Sequence, residues 1–73
     1  MKFQLYIQCD KAVFDENPAR EVSRILAEIS QKIESRDEVP TYFQTIYDVN
    51  GNDVGRYAIK PDDYEFYENG EVA

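Results

Sequence analysis

The chain has no histidine and no tryptophan, and only one cysteine, three glycines and three prolines among its 73 residues. Each shortage removes a class of chemistry. Without histidine there is no Ser-His-Asp or Cys-His nucleophile system, and the side chain that most readily moves protons near neutrality is missing. Cys9 alone cannot build a structural zinc site within one chain. Nor can it close an internal disulfide, which suits a reducing compartment. Gly51, Gly55 and Gly70 are scattered and precede no Gly-Lys-Ser/Thr, so a phosphate-cradling loop is excluded. No apolar run approaches the roughly 20 residues that span a bilayer, and no secretory leader opens the sequence. The expected address is the cytoplasm, in whichever host cell makes the protein.

Basic residues are also scarce: eight Lys and Arg stand against fifteen Asp and Glu, a net charge of −7. Phosphate backbones and anionic membranes are poor partners for such a chain, because each phosphate contact normally requires a cation. A basic protein surface is a good one. What is present is ordinary globular material, 42% apolar and 32% charged. Its length fits one small domain near the limit of a self-sufficient core.

Residues 2–9 alternate, with Phe3, Leu5, Ile7 and Cys9 on one side and Lys2, Gln4, Tyr6 and Gln8 on the other, which predicts a strand with one buried face. Cys9 is expected to be a small core residue at its end. A connection anchored by Ala12, Val13 and Phe14 leads to Asn17-Pro18, a cap followed by a residue suited to the first helical position. Val22, Ile25, Leu26, Ile29 and Ile33 then form an apolar helical stripe that ends near Ser35 or Arg36. Arg20 and Arg24, with Glu21 and Glu28 at hand, are expected to form a solvated, self-neutralised face. Thr41 to Val49 is rich in β-formers. Asn50-Gly51 predicts a type I′ hairpin into a strand over Val54 to Lys60. Asp48 to Asp53 loosely suggests a calcium loop, but Asp53 and Ile59 stand where glycine and glutamate are needed, so the hairpin explains these residues better.

The predicted fold is α+β: a single small β-α-β-β domain over residues 1–60, an antiparallel hairpin sheet with one helix on one face, followed by an acidic aromatic tail over 61–73. One helix leaves the opposite face bare. That face is expected to hold Tyr6 with either Phe43 and Tyr47 or Tyr42 and Ile46, an apolar-aromatic surface that small monomers rarely leave wet. Two covers are open: the tail folding back, or a second chain pairing there through Tyr6, Tyr42 and Tyr47.

The tail is the least bland element. It carries five of the seven surplus charges, on Asp62, Asp63, Glu65, Glu68 and Glu71, with no Lys or Arg. Tyr64, Phe66 and Tyr67 lie among those acids. Carboxylates interleaved with rings match a groove built for nucleic acid, where cations await phosphates and aromatic faces await bases. The plainer alternative is a solubilising terminus whose rings tuck onto the sheet. Asp62, Asp63, Tyr64, Glu65, Phe66, Tyr67 and Glu68 are therefore the candidate partner-binding residues. No cofactor, metal or catalytic role is expected. Direct nucleic-acid reading by the sheet is disfavoured, since only Lys2, Arg56 and Lys60 are available near it.

The first sixty residues resemble a group of short bacteriophage and prophage proteins without an assigned activity. The resemblance is carried by Phe3-Gln4-Leu5-Tyr6-Ile7, Cys9-Asp10, Ala12 and Phe14. It continues through Pro18 and Glu21-Val22-Ser23-Arg24-Ile25-Leu26, then Asp48, Asn50-Gly51-Asn52 and Val54-Gly55. Position 11 departs from it, with Lys where that group has Asn. The resemblance implies a mobile-element origin and a cytoplasmic site of action, and it implies no reaction; the tail lies outside it. Phage inhibitors of host defence, anti-CRISPR proteins among them, are similar in size and charge, an analogy of class alone. The resulting expectation is a protein-binding inhibitor that engages a basic groove on a host nucleic-acid-handling or defence complex. The alternative is a homodimeric structural or accessory phage protein that pairs through the open sheet face.

Overall fold

The computed structural model describes residues 1–65. Strand β1 (Lys2–Ile7) is followed by a short 3-10 turn at Ala12–Phe14, helix α1 (Pro18–Arg36), strand β2 (Gln44–Tyr47) and strand β3 (Asp53–Lys60). The three strands are antiparallel in the order β1-β3-β2, so among the described residues β3 is central and both β1 and β2 are edges. This is a small α+β domain.

Local chemistry sets the helix limits. The Asn17 side chain accepts from the Arg20 backbone N–H at 3.1 Å, and Pro18 occupies the first turn. At the other end Asp37 adopts a left-handed conformation, φ 54°, and its N–H bonds the Glu34 carbonyl. Ile25 and Ile29 face inward and are buried, with Val22 and Ile33 half-buried beside them. They meet Phe14, Ile46, Val54 and Tyr57, with Leu5, Ile7 and Val13 at the margin. Each fully buried isoleucine stabilises the fold by about 1.5–3 kcal/mol relative to exposure. Leu26, the remaining member of the stripe, is 44% exposed.

The β1–β3 register pairs Leu5 with Tyr57 and Phe3 with Ile59; the β2–β3 register pairs Gln44 with Tyr57 and Ile46 with Gly55. Phe3, Leu5, Ile7, Ile46, Tyr57 and Ile59 therefore share the helix-covered side. Lys2, Gln4, Tyr6, Thr45, Arg56, Ala58 and Lys60 share the open one. A register shift opposite Ile46 and Tyr47 allows Val54 and Gly55, adjacent residues, both to be buried.

Several boundaries differ from those expected. The first strand stops at Ile7, and Cys9 is exposed and not a core residue. The chain leaves the sheet after Gln8, whose N–H bonds the Val54 carbonyl at 2.7 Å, and Cys9 is carried outward. Strand β2 is shorter than its composition suggests. Continuing its register would bring Tyr42 opposite Ile59, but the Ile59 N–H is taken by the Pro40 carbonyl at 2.9 Å, so 41–43 do not join the ladder. The hairpin is not a two-residue type I′ turn: Gly51 has φ 84°, whereas Asn50 does not have positive φ. Gly51 N–H bonds the Asp48 carbonyl and Asp48 N–H bonds the Asn52 carbonyl, the pattern of a three-residue loop closed by a left-handed glycine.

Candidate functional site

The described start of the tail is held against one end of the open sheet face. After Pro61 the chain turns, and Tyr64 N–H bonds the Pro61 carbonyl at 3.0 Å. The Tyr64 ring lies 6.3 Å from Phe43, and the Lys60 ammonium is 5.0 Å from the Tyr64 ring, 4.9 Å from Phe43 and 5.8 Å from Tyr42. Such contacts contribute about 0.5–1 kcal/mol each at exposed sites. Lys60 is the last residue of β3, so the sheet itself supplies the cation that gathers these rings. Asp62, Asp63 and Glu65 are exposed around the seated Tyr64. Asp62 also forms an ion pair with the Met1 ammonium. Phe66, Tyr67 and Glu68 lie outside the described residues.

The open face carries less aromatic surface than its sequence suggested. Ile46 belongs to the helix side, which assigns Phe43, and not the pair Tyr42 and Ile46, to the open-face phase of β2. Tyr6 is half-buried in a row with Arg56 and Thr45. Tyr47 lies beyond the register shift, exposed, with its carbonyl 3.4 Å from the Arg24 guanidinium. Tyr42 is exposed beside Lys60. Tyr6, Tyr42 and Tyr47 are thus spread over both edges of the sheet. Three cations, Lys2, Arg56 and Lys60, stand on this face.

Two buried acids were not anticipated as structural elements. Glu21, 5% exposed, accepts from the Arg24 guanidinium at 2.7 and 3.0 Å and from the Val49 backbone N–H at 2.9 Å. The expectation of a fully solvated Arg-Glu face is corrected accordingly: Arg24 reaches outward to Glu28 at 2.9 Å, but its inward partner joins the helix to the hairpin loop. Hydrogen bonding from Arg24, aided by Val49, holds the Glu21 carboxyl below the ordinary range against the opposing effect of burial. Asp48, 4% exposed, accepts from the backbone of Asn50 and Asn52 and from the Asn52 side chain at 2.8–2.9 Å. Burial alone would raise its pKa; those bonds outweigh it and the net shift is downward. The Asp48 carboxylate is thereby committed to loop geometry. A basin at the helix N-terminus is lined by Asn17, Arg20, Glu21 and Arg24, of which Glu21 and Arg24 are paired with each other.

No helix among the described residues is long and apolar enough to cross a membrane. No protein-family model, curated protein or solved structure matches this chain.

Proposed function

We propose that this is a small acidic protein-binding module of phage type. It acts as an inhibitor that engages a basic groove on a host nucleic-acid-handling or defence complex through the segment beginning at Asp62. The observation that carries this reading is the seating of Tyr64 between Phe43 and Lys60 with Asp62, Asp63 and Glu65 exposed around it. A solubilising terminus whose rings tuck onto the sheet would seat Tyr64 in the same way and gain nothing further from it. A recognition segment does gain, because fixing its first residues lowers the ordering cost on binding. The charge supports the same partner: five acids and no base over 61–73 complement a cationic groove and repel nucleic acid itself.

The test is affinity purification from host cell extract with the full chain and with a triple reversal, Asp63→Lys, Glu65→Lys and Glu68→Lys. The captured complex is then challenged with nucleic acid. The reading requires a captured nucleic-acid-handling complex whose retention is lost on reversal and competed by nucleic acid. Retention that survives both treatments rejects it. Homodimerisation through the open sheet face is the weaker reading, since Tyr6, Tyr42 and Tyr47 are spread over both edges of the sheet and the face between them carries Lys2, Arg56 and Lys60.

A further inference from the structure

Among the described residues, strand β1 has one side committed to β3 and the other without a partner. Gln8 N–H bonds the Val54 carbonyl, and Gln8 falls opposite Val54 when the β1–β3 register is extended by one residue. In an antiparallel ladder bonded pairs alternate, so Lys2, Gln4, Tyr6 and Gln8 direct their backbone groups to β3. Phe3, Leu5 and Ile7 direct theirs outward. Beside that edge runs an open, mostly apolar groove of about 420 Å³ between β1 and α1, lined by Phe3, Leu5, Leu26, Ile29 and Ile33 together with Ser30 and Glu34. Phe3 is 48% and Leu26 44% exposed along it, although both sequence patterns place them on core-facing positions.

We infer that this edge pairs with the same edge of a second copy, antiparallel about a twofold axis at Leu5, giving a continuous six-stranded sheet with both helices on one side. Four features of the strand agree with that register. Leu5 pairs with Leu5 and Phe3 with Ile7, so every outward backbone group meets a complementary one with none left over. The same pairing keeps Phe3, Leu5 and Ile7 of both copies on the helix side, merging the two grooves so that Phe3 and Leu26 are covered. On the opposite side, Gln4 falls opposite Tyr6. The buried Gln4 Oε1 has no hydrogen-bond partner within the described protein, and a tyrosine hydroxyl is a suitable donor. Finally, Lys2 falls opposite Gln8, whose side-chain amide is bonded to the Asp10 carboxylate, so opposite charges meet at each end. The Cys9 thiol lies 3.9 Å from the Ile7 carbonyl, a weak contact that strand pairing displaces. This interface runs edge to edge, touches the open face only along its β1 margin and does not involve the acidic segment, so it stands apart from the function proposed above.

The test combines sedimentation with amide exchange on the intact chain. The expected result is a dimer at tens of micromolar whose Phe3, Leu5 and Ile7 amides slow by about tenfold or more relative to dilute protein. The Gln4 and Tyr6 amides, already bonded to β3, are expected to change little. Leu26→Lys, on an exposed helix position, should weaken dimerisation at least ~tenfold while retaining the circular dichroism of the fold. A protein monomeric at every concentration overturns the inference. So does a dimer whose Phe3, Leu5 and Ile7 amides exchange as fast as in the monomer.

Discussion

Replacing Glu21 probes the joint between the helix and the hairpin loop. The side chain accepts three bonds, two from Arg24 and one from the Val49 N–H, a residue 28 positions away. Glu21→Ala removes all three; Val49 is 61% exposed, so water can take over its N–H, and the loss is about 0.5–1.5 kcal/mol. Arg24 keeps Glu28 and its outer edge meets water, so the ion-pair contribution is small and the total stays within that span. In a domain of this size each kcal/mol moves Tm by about 4–8 °C. Glu21→Gln retains an acceptor for Val49 and should fall between wild type and Ala. Urea titration followed by circular dichroism measures each variant.

The pH dependence follows the same logic. Glu21, Glu28 and Asp48 all have pKa values lowered in the fold: Glu21 first by hydrogen bonding from Arg24, Glu28 first by Lys32, and Asp48 by Asn52 and Asn50 in spite of burial. Their stabilisation is complete above the ordinary carboxylate pKa of about 4 and is lost as pH falls through the lower folded values. Glu21→Gln should flatten that acid slope. An Ala variant as stable as wild type at pH 7, or a Gln variant with an unchanged acid slope, refutes the reasoning.

Three other substitutions test separate joints. Gly55→Ala places a Cβ 1.8 Å from the Tyr6 carbonyl oxygen, backbone that cannot yield without parting β1 from β3; loss of cooperative thermal unfolding is expected. Gly51→Ala meets no atom within 4 Å but retains φ 84°, so its cost is backbone strain alone, about 1 kcal/mol by urea titration. Tyr64→Ala removes the ring that Phe43 and Lys60 hold, and limited proteolysis should cut residues 61–65 faster while the 1–60 fragment resists as before.

Periodicity made most of the architecture legible. The alternation of residues 2–7 and the Asn17-Pro18 start gave β1 and α1 nearly to their ends, because short-range geometry decides both. Asn50-Gly51 located the hairpin but misled on its type. The Asp48 side chain supplies acceptors for Asn50 and Asn52 and favours a longer loop in which glycine alone is left-handed. The extent of β2 was illegible, since it depends on Pro40 claiming the Ile59 N–H, a contact between distant residues. Glu21 left a readable trace: it stands four residues before Ile25 and eight before Ile29, in phase with the core, where an acid requires a partner. What no local pattern marks is the exposure of Leu26 and Phe3, which arises because β1 is an edge beside a single helix. For the candidate binding segment, the acids and rings were legible, but not that Lys60 gathers Tyr42, Phe43 and Tyr64.

The most direct test of the proposed activity is the dissociation constant of the full chain for its captured complex. It should be measured against rising salt, for wild type and for Asp63→Lys with Glu65→Lys. Electrostatic seating in a cationic groove predicts affinity that falls steadily with salt and a loss of about a hundredfold or more in the reversed variant at low salt. Equal affinities for the two proteins, indifferent to salt, would contradict it.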